Sequence, residues 1–197
     1  MTDEVKKPFL PRWLRIVLVG RRPSLTLVRI VVLVVVTFTL FGFILLPVRV
    51  DGPSMLPTYR TGGVNLVNRF AYLRHGPRHG DVVTIRISGD EYSTGEFFND
   101  LIRVRLQFRR LFRPSLMYMK RVVALPGETI AFSDGRLLIN GEPQDEPYLK
   151  FSCHWEREPL QLGADQYYVV GDNRSMRMED HTRGVYKLAR IVGKVML

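Results

Sequence analysis

The sequence predicts a mainly β domain preceded by one apolar N-terminal helix. Three observations carry this. An uncharged run from Ile30 to Val48 follows a basic N-terminus. The chain beyond it breaks into short apolar or alternating runs, separated by Gly, Pro, Asn and Asp. Finally, Cys153 is the single cysteine, so no intrachain disulfide can form and packing alone must hold the fold. The 197 residues accommodate one domain of roughly 150 residues plus an appendage. The 46% hydrophobic content is enough to build a core and excludes global disorder.

Residues 1–29 carry Lys6, Lys7, Arg12, Arg15, Arg21, Arg22 and Arg29 against Asp3 and Glu4, which is half of the formal net charge of +10. Such a cluster before an apolar segment is a topology signal rather than a nucleic-acid site. The run "IVVLVVVTFTLFGFILLPV" (30–48) would span roughly 28 Å as a helix, close to the hydrocarbon thickness. Arg49, Val50 and Asp51 follow it and make a poor cleavage exit, so an uncleaved transmembrane helix is expected over 30–48. Five Arg stand on its N-terminal side within twenty residues, and Arg49 and Arg60 on the other. The charge asymmetry predicts residues 1–29 in the cytoplasm and residues 49–197 outside it, in a single-pass protein of the cytoplasmic (inner) membrane.

Residues 49–197 read as strands. "DVVTIRI" (81–87) alternates in part. "TIAFSDGRLLING" (129–141) is two strands around a Ser-Asp-Gly turn. "QYYVVGD" (166–172) is a short apolar strand entering a turn, and "YKLARIVGKVML" (186–197) a closing strand. A basic amphipathic insertion near 88–117 interrupts the pattern. Within 97–120, Leu101, Val104, Phe108, Leu111 and Phe112 fit a helix face, while 102–108 alternate like a strand. Its five Arg beside Leu and Phe suit either a membrane-surface element or an ordinary solvated face. Cys153 is expected to be a small buried or half-buried side chain.

The four His (75, 79, 154 and 181) and the single Cys lack metal-ligand spacing, so no metal and no cofactor is expected. The stretch "DGPSMLPTYR" (51–60) holds Ser54 between two prolines. A hydrolytic serine needs a base and an anion-stabilising donor. No His stands in a recognisable triad context. A lysine serves only when neutral, which requires burial or nearby cations. Among six lysines, Lys120 alone is flanked by apolar residues on both sides, "LMYM" before it and "VVALPG" after Arg121. From its surroundings alone it fits a structural lysine as well as a base.

These stretches resemble the type I signal peptidases, membrane-bound Ser-Lys proteases that remove signal peptides from exported proteins. "SMLPT" (54–58) resembles the family's serine box; "GDVV" (80–83), "KRVVALPGE" (120–128) and "GDNR" (171–174) resemble the remaining boxes in order, and "INGEPQDEPYL" (139–149) also looks like the family. The resemblance implies a signal-peptidase-like antiparallel β domain, with Ser54 as nucleophile and neutral Lys120 as general base. It implies the Ser54 N–H as one oxyanion donor. The family's upstream hydroxyl falls at Gly52, which has none, so the second donor stays unassigned. Met55 would line the active region, and Pro53 and Pro57 would stiffen the turn. Asp172, Asn173 and Arg174 would form a hydrogen-bonded turn.

The last box departs from the pattern. In "GDNRSMRMEDHTRG" the family's Ser falls at Arg177, its Asp at Glu179, the next Ser at Asp180 and its Arg at His181. Glu179 or Asp180 is expected to pair with Arg121, and Arg177, if it points inward, to depress Lys120 by like-charge repulsion.

The implied activity is a membrane serine endopeptidase cutting precursors after small residues at −1 and −3. Its partners would be signal-peptide-bearing precursors, anionic phospholipid and the secretion translocon, with no nucleic acid. Two readings compete with it: a maturation peptidase of the same Ser-Lys class with a dedicated substrate, and a catalytically lapsed membrane-binding module. Self-cleaving repressors share the dyad but carry a DNA-binding domain that residues 1–49 do not offer. No aromatic-basic motif supports nucleic-acid binding.

Overall fold

The computed structural model describes residues 23–86, 117–181 and 184–196. Residues 97–116 of the basic amphipathic segment lie outside these. Two compact units divide the chain, residues 1–40 and 41–197.

In the first unit, helix α1 runs Pro23–Thr39. Its apolar side chains are exposed, Leu27 and Leu33 at 65% each. The apolar run does not stay helical to Val48. A π-helical turn covers Leu40–Ile44, and strand β1 begins at Leu45. Seventeen residues make about 25 Å of helix, short of the roughly 20 residues a span needs. Among the described residues, no helix is long and apolar enough to cross a membrane.

The second unit is built from two antiparallel sheets. Strands β1 (Leu45–Arg49), β2 (Val64–Asn68), β3 (Val82–Arg86) and β4 (Met117–Ala124) are joined in one sheet by β9 (Gln166–Val170), β10 (Val185–Lys187) and β11 (Ile191–Met196). Their order is β1-β2-β11-β3-β4-β9-β10. The second sheet has β5 (Thr129–Ser133), β6 (Arg136–Ile139), β7 (Glu142–Pro143) and β8 (Arg157–Gln161), in the order β7-β6-β5-β8.

The expected hairpin over 129–141 forms as β5 and β6, with Ser133 opposite Arg136. Asp134 and Gly135, at φ 50° and 71°, make its two-residue turn. Both positive angles match the strand twist, which is why Asp-Gly suits this place. The closing segment is not one strand. A 3-10 turn at Leu188–Arg190 separates β10 from β11, so the two halves pair at different places in the sheet.

The core follows the strand alternation. Val82 packs with Val48, Met55, Tyr59, Val67 and Met119, while its neighbour Val83 packs with Ile85, Val122 and Val169. Adjacent residues of a strand face opposite sides, so the large sheet is covered on both faces. A third cluster, including Phe132, Trp155, Tyr168 and Val170, draws on both sheets.

Candidate active site

Ser54 lies in the loop from Val50 to Gly63 that joins β1 to β2. Its base is closed by Val50 N–H to Gly63 O (2.8 Å) and Gly62 N–H to Val50 O (2.8 Å). Inside it, Leu56 N–H donates to Pro53 O (3.1 Å), Tyr59 N–H to Met55 O (2.9 Å), and the Thr61 hydroxyl to Gly52 O (3.0 Å). Gly52 has φ +90°, a conformation that side chains disfavour. Met55 is buried and pins the loop into the core, Ser54 is half-buried, and Pro57 is exposed.

Lys120 lies on β4, opposite Val83 of β3, and only 2% of it is exposed. Burial lowers its amine to about 8, against a smaller opposing pull from Asp172. On the other side of β4, Arg121 pairs with Val170. Beyond Val170 the chain leaves β9 through Gly171 into a turn. A Cβ built on Gly171 would meet Ser54 O at 2.1 Å and the His181 ring at 2.7 Å. The serine loop and His181 therefore close on the turn that leaves β9, the strand paired with β4.

The turn after β9 ties the pieces together. Asn173 N–H donates to Ser54 O (3.0 Å), and its Nδ2 to Pro53 O (3.2 Å). Asp172, fully buried, takes a two-pronged bond from Arg121, Nε to Oδ1 at 2.8 Å and an Nη to Oδ2 at 2.6 Å. The Thr58 hydroxyl donates to the same Oδ2 (2.5 Å), so the carboxylate also anchors the far end of the serine loop. Arg121 donates further to Gly80 O (2.7 Å), and its guanidinium lies 3.9 Å from the Tyr148 ring centre. Arg174 is buried and clamps Glu146 with bonds of 3.0 and 2.5 Å. The Tyr148 hydroxyl donates to that same Glu146 carboxylate. The "INGEPQDEPYL" segment is thereby joined to the "GDNR" turn.

Three expectations for the last box are corrected. Arg121 pairs with Asp172, not with Glu179 or Asp180, because the β4–β9 register delivers Asp172 to it. Asp180 pairs instead with Arg177 (3.3 Å), and Glu179 is exposed. The Arg177 side chain is 81% exposed, so it does not supply a repelling charge at Lys120; burial lowers that amine.

Sequence reasoning missed His181 and Thr58. His181 is 1% exposed. Gly171 N–H donates to its Nδ1 (2.9 Å), and Nε2 lies 3.0 Å from Asn173 O. Its ring meets Trp155 edge-on at 4.8 Å. Burial, with the nearby Lys120 charge, lowers it to about 4. The signal for Thr58 was its place in the serine box, whereas a lone His in a divergent stretch gave none. Among the described residues, no group of three or more His, Cys, Asp or Glu is arranged to hold a metal.

A serine loop bonded to the turn after β9, beside a strand that carries a buried lysine, has the parts of a serine-class hydrolase. The profile described as signal peptidase, peptidase S26, matches residues 24–197. The signal peptidase I of Leptolyngbya laminosa is 30% identical over 150 residues, covering 75% of this chain and 65% of that protein. Signal peptidase IB of Staphylococcus aureus is 26% identical over 187 residues, 86% of this chain and 85% of that one. A solved signal peptidase I from Enterococcus faecalis covers 61% of this chain and 97% of its own, at 21% identity and a TM-score of 0.40. The chain belongs to the S26 signal peptidase family, whose members are serine endopeptidases.

Proposed function

We propose that this protein removes N-terminal signal peptides from exported precursors, with Ser54 as nucleophile and neutral Lys120 as general base. The observation that carries the reading is the buried Lys120 amine, lowered to about 8, on the strand paired with β9, whose following turn holds Ser54 O through Asn173 N–H. At pH 7.5 an amine at 8 is about one quarter neutral, whereas one at the ordinary 10.5 is about one part in a thousand neutral. Burial thus raises the population of competent base by a factor of about 10².

In this mechanism Lys120 Nζ takes the Ser54 proton as Oγ attacks the scissile carbonyl. The tetrahedral oxyanion accepts from the Ser54 N–H. The C–N bond breaks, and the ammonium of Lys120 returns its proton to the leaving amine. Water, deprotonated by the same lysine, then hydrolyses the acyl-enzyme. Small residues at −1 and −3 of the precursor are the preferred cleavage context.

The apolar N-terminal run acts as the membrane anchor, with the N-terminus cytoplasmic and the catalytic unit outside. Its support is the exposed apolar surface of α1 and the Lys/Arg excess before it. Anionic phospholipid and the translocon are the membrane partners of this arrangement. The test is cleavage of a precursor by the detergent-solubilised full chain, with product masses measured. One cut after a small residue, abolished by Ser54→Ala, is expected. Cleavage that persists in Ser54→Ala would remove the nucleophile.

A further inference from the structure

We propose that His181 is a positioning residue that fixes the strand-end turn, and with it Ser54, through both nitrogens of a neutral imidazole. The inference rests on the Ser54–Lys120 reading and adds a residue to it. Gly171 N–H can only donate, so the Nδ1 it reaches at 2.9 Å is unprotonated. Nε2 then carries the ring proton and donates to Asn173 O at 3.0 Å. One ring thus bridges the first and third residues of the turn, a backbone donor and a backbone acceptor, the latter also taking Met176 N–H (3.3 Å). The same turn holds the nucleophile, since Asn173 donates from its N–H to Ser54 O and from its side chain to Pro53 O. The path from imidazole to serine therefore contains two hydrogen bonds and one backbone residue.

The imidazole is locked on its other side. Trp155 meets the ring edge-on at 4.8 Å, and the Trp155 indole N–H donates to Met176 O (2.8 Å). The charges acting on it include Lys120 from β4 and Arg174 and Asp180 from the turn and the 3-10 segment Met178–His181. Burial and the two cations keep it neutral, down to about pH 4, against the opposing Asp180. A cation would lose the acceptor that Gly171 needs, so neutrality is a condition of the geometry. The ring also lies within reach of the Lys120 charge. Removing it would let water approach the amine and raise its pKa, because burial is what lowers it.

The test uses the full chain in detergent with a precursor substrate. His181→Phe keeps the ring volume but neither hydrogen bond. A fall in kcat of about 10–100-fold with KM changed less than threefold is expected, since misplacement of a nucleophile by about 1 Å costs that much. His181→Gln, which retains a donor and an acceptor, should recover part of the loss. His181→Ala should in addition move the acid limb of kcat/KM to higher pH by hydrating Lys120. Parent kcat and parent pH profile in both His181→Phe and His181→Ala would overturn the proposal. Should the variants not fold, nitrogen NMR of the parent imidazole decides it. A neutral ring protonated at Nε2 from pH 8 to pH 5 supports the assignment, and protonation at Nδ1 or a cationic ring there contradicts it. That readout does not depend on activity, so failure of the Ser54–Lys120 reading would be seen separately, as a Lys120 variant that retains its rate.

Discussion

Replacing Gly171 by alanine adds one methyl group where the serine loop, the β9 turn and His181 converge. The new Cβ would lie 2.1 Å from Ser54 O and 2.7 Å from both Cε1 and Nδ1 of His181. An ordinary contact needs about 3.5 Å. His181 cannot swing aside without giving up its bonds to Gly171 and Asn173, and Ser54 O is backbone held by Asn173 N–H. Something must therefore move by about 1 Å, and each neighbour that can move is tied to the nucleophile. Overpacking of this kind costs about 1–3 kcal/mol. For a unit of this size, at about 2–4 °C per kcal/mol, that lowers the melting temperature by about 2–12 °C, leaving the protein folded at 25 °C. The rate should suffer more than the stability, by about 10²-fold in kcat. Precursor cleavage at saturating substrate, alongside thermal unfolding, separates the two. A Gly171→Ala variant that keeps kcat within threefold of the parent would refute the claim that this close approach sets the serine geometry.

The pH dependence of kcat/KM should show an acid limb with its midpoint near 8, losing about tenfold per unit below it. The sign follows from Lys120: its folded pKa is lowered, and the neutral base is gained as pH rises through that value. Stopped-time cleavage from pH 6 to 9.5 checks this. Asp172→Asn should destabilise by about 3–5 kcal/mol, because it leaves Arg121 partly buried without its carboxylate. In any folded fraction the acid limb should move to lower pH, since Asp172 opposes the lowering of Lys120. Arg177→Ala should leave melting temperature and kcat unchanged, since its pair with Asp180 is at the surface.

Much of the fold and part of the site were legible in the sequence. The alternation and Asp-Gly turn of 129–141 gave β5 and β6 because turn chemistry there is local. Lys120 stood out because its apolar flanks match a strand buried on both faces. The end of α1 was not legible. Leu45, Leu46 and Val48 suit a membrane helix and a β strand equally, and pairing with Val64–Asn68 decides for the strand. The acid that holds Arg121 was likewise hidden. Proximity in the chain offered no distinction among Asp172, Glu179 and Asp180. Only the register Arg121–Val170 brings Asp172 into reach. His181 gave no signal, because its bonds to Gly171 and Asn173 are to backbone atoms.

The most direct measurement of the central claim is kcat for Lys120→Met, with melting temperature as the control. Methionine matches the lysine stem in length and removes only the amine from its buried place. The account predicts a fall of about 10²–10⁴-fold in kcat with the melting temperature unchanged or raised. Retention of kcat within tenfold in a folded Lys120→Met variant would contradict it.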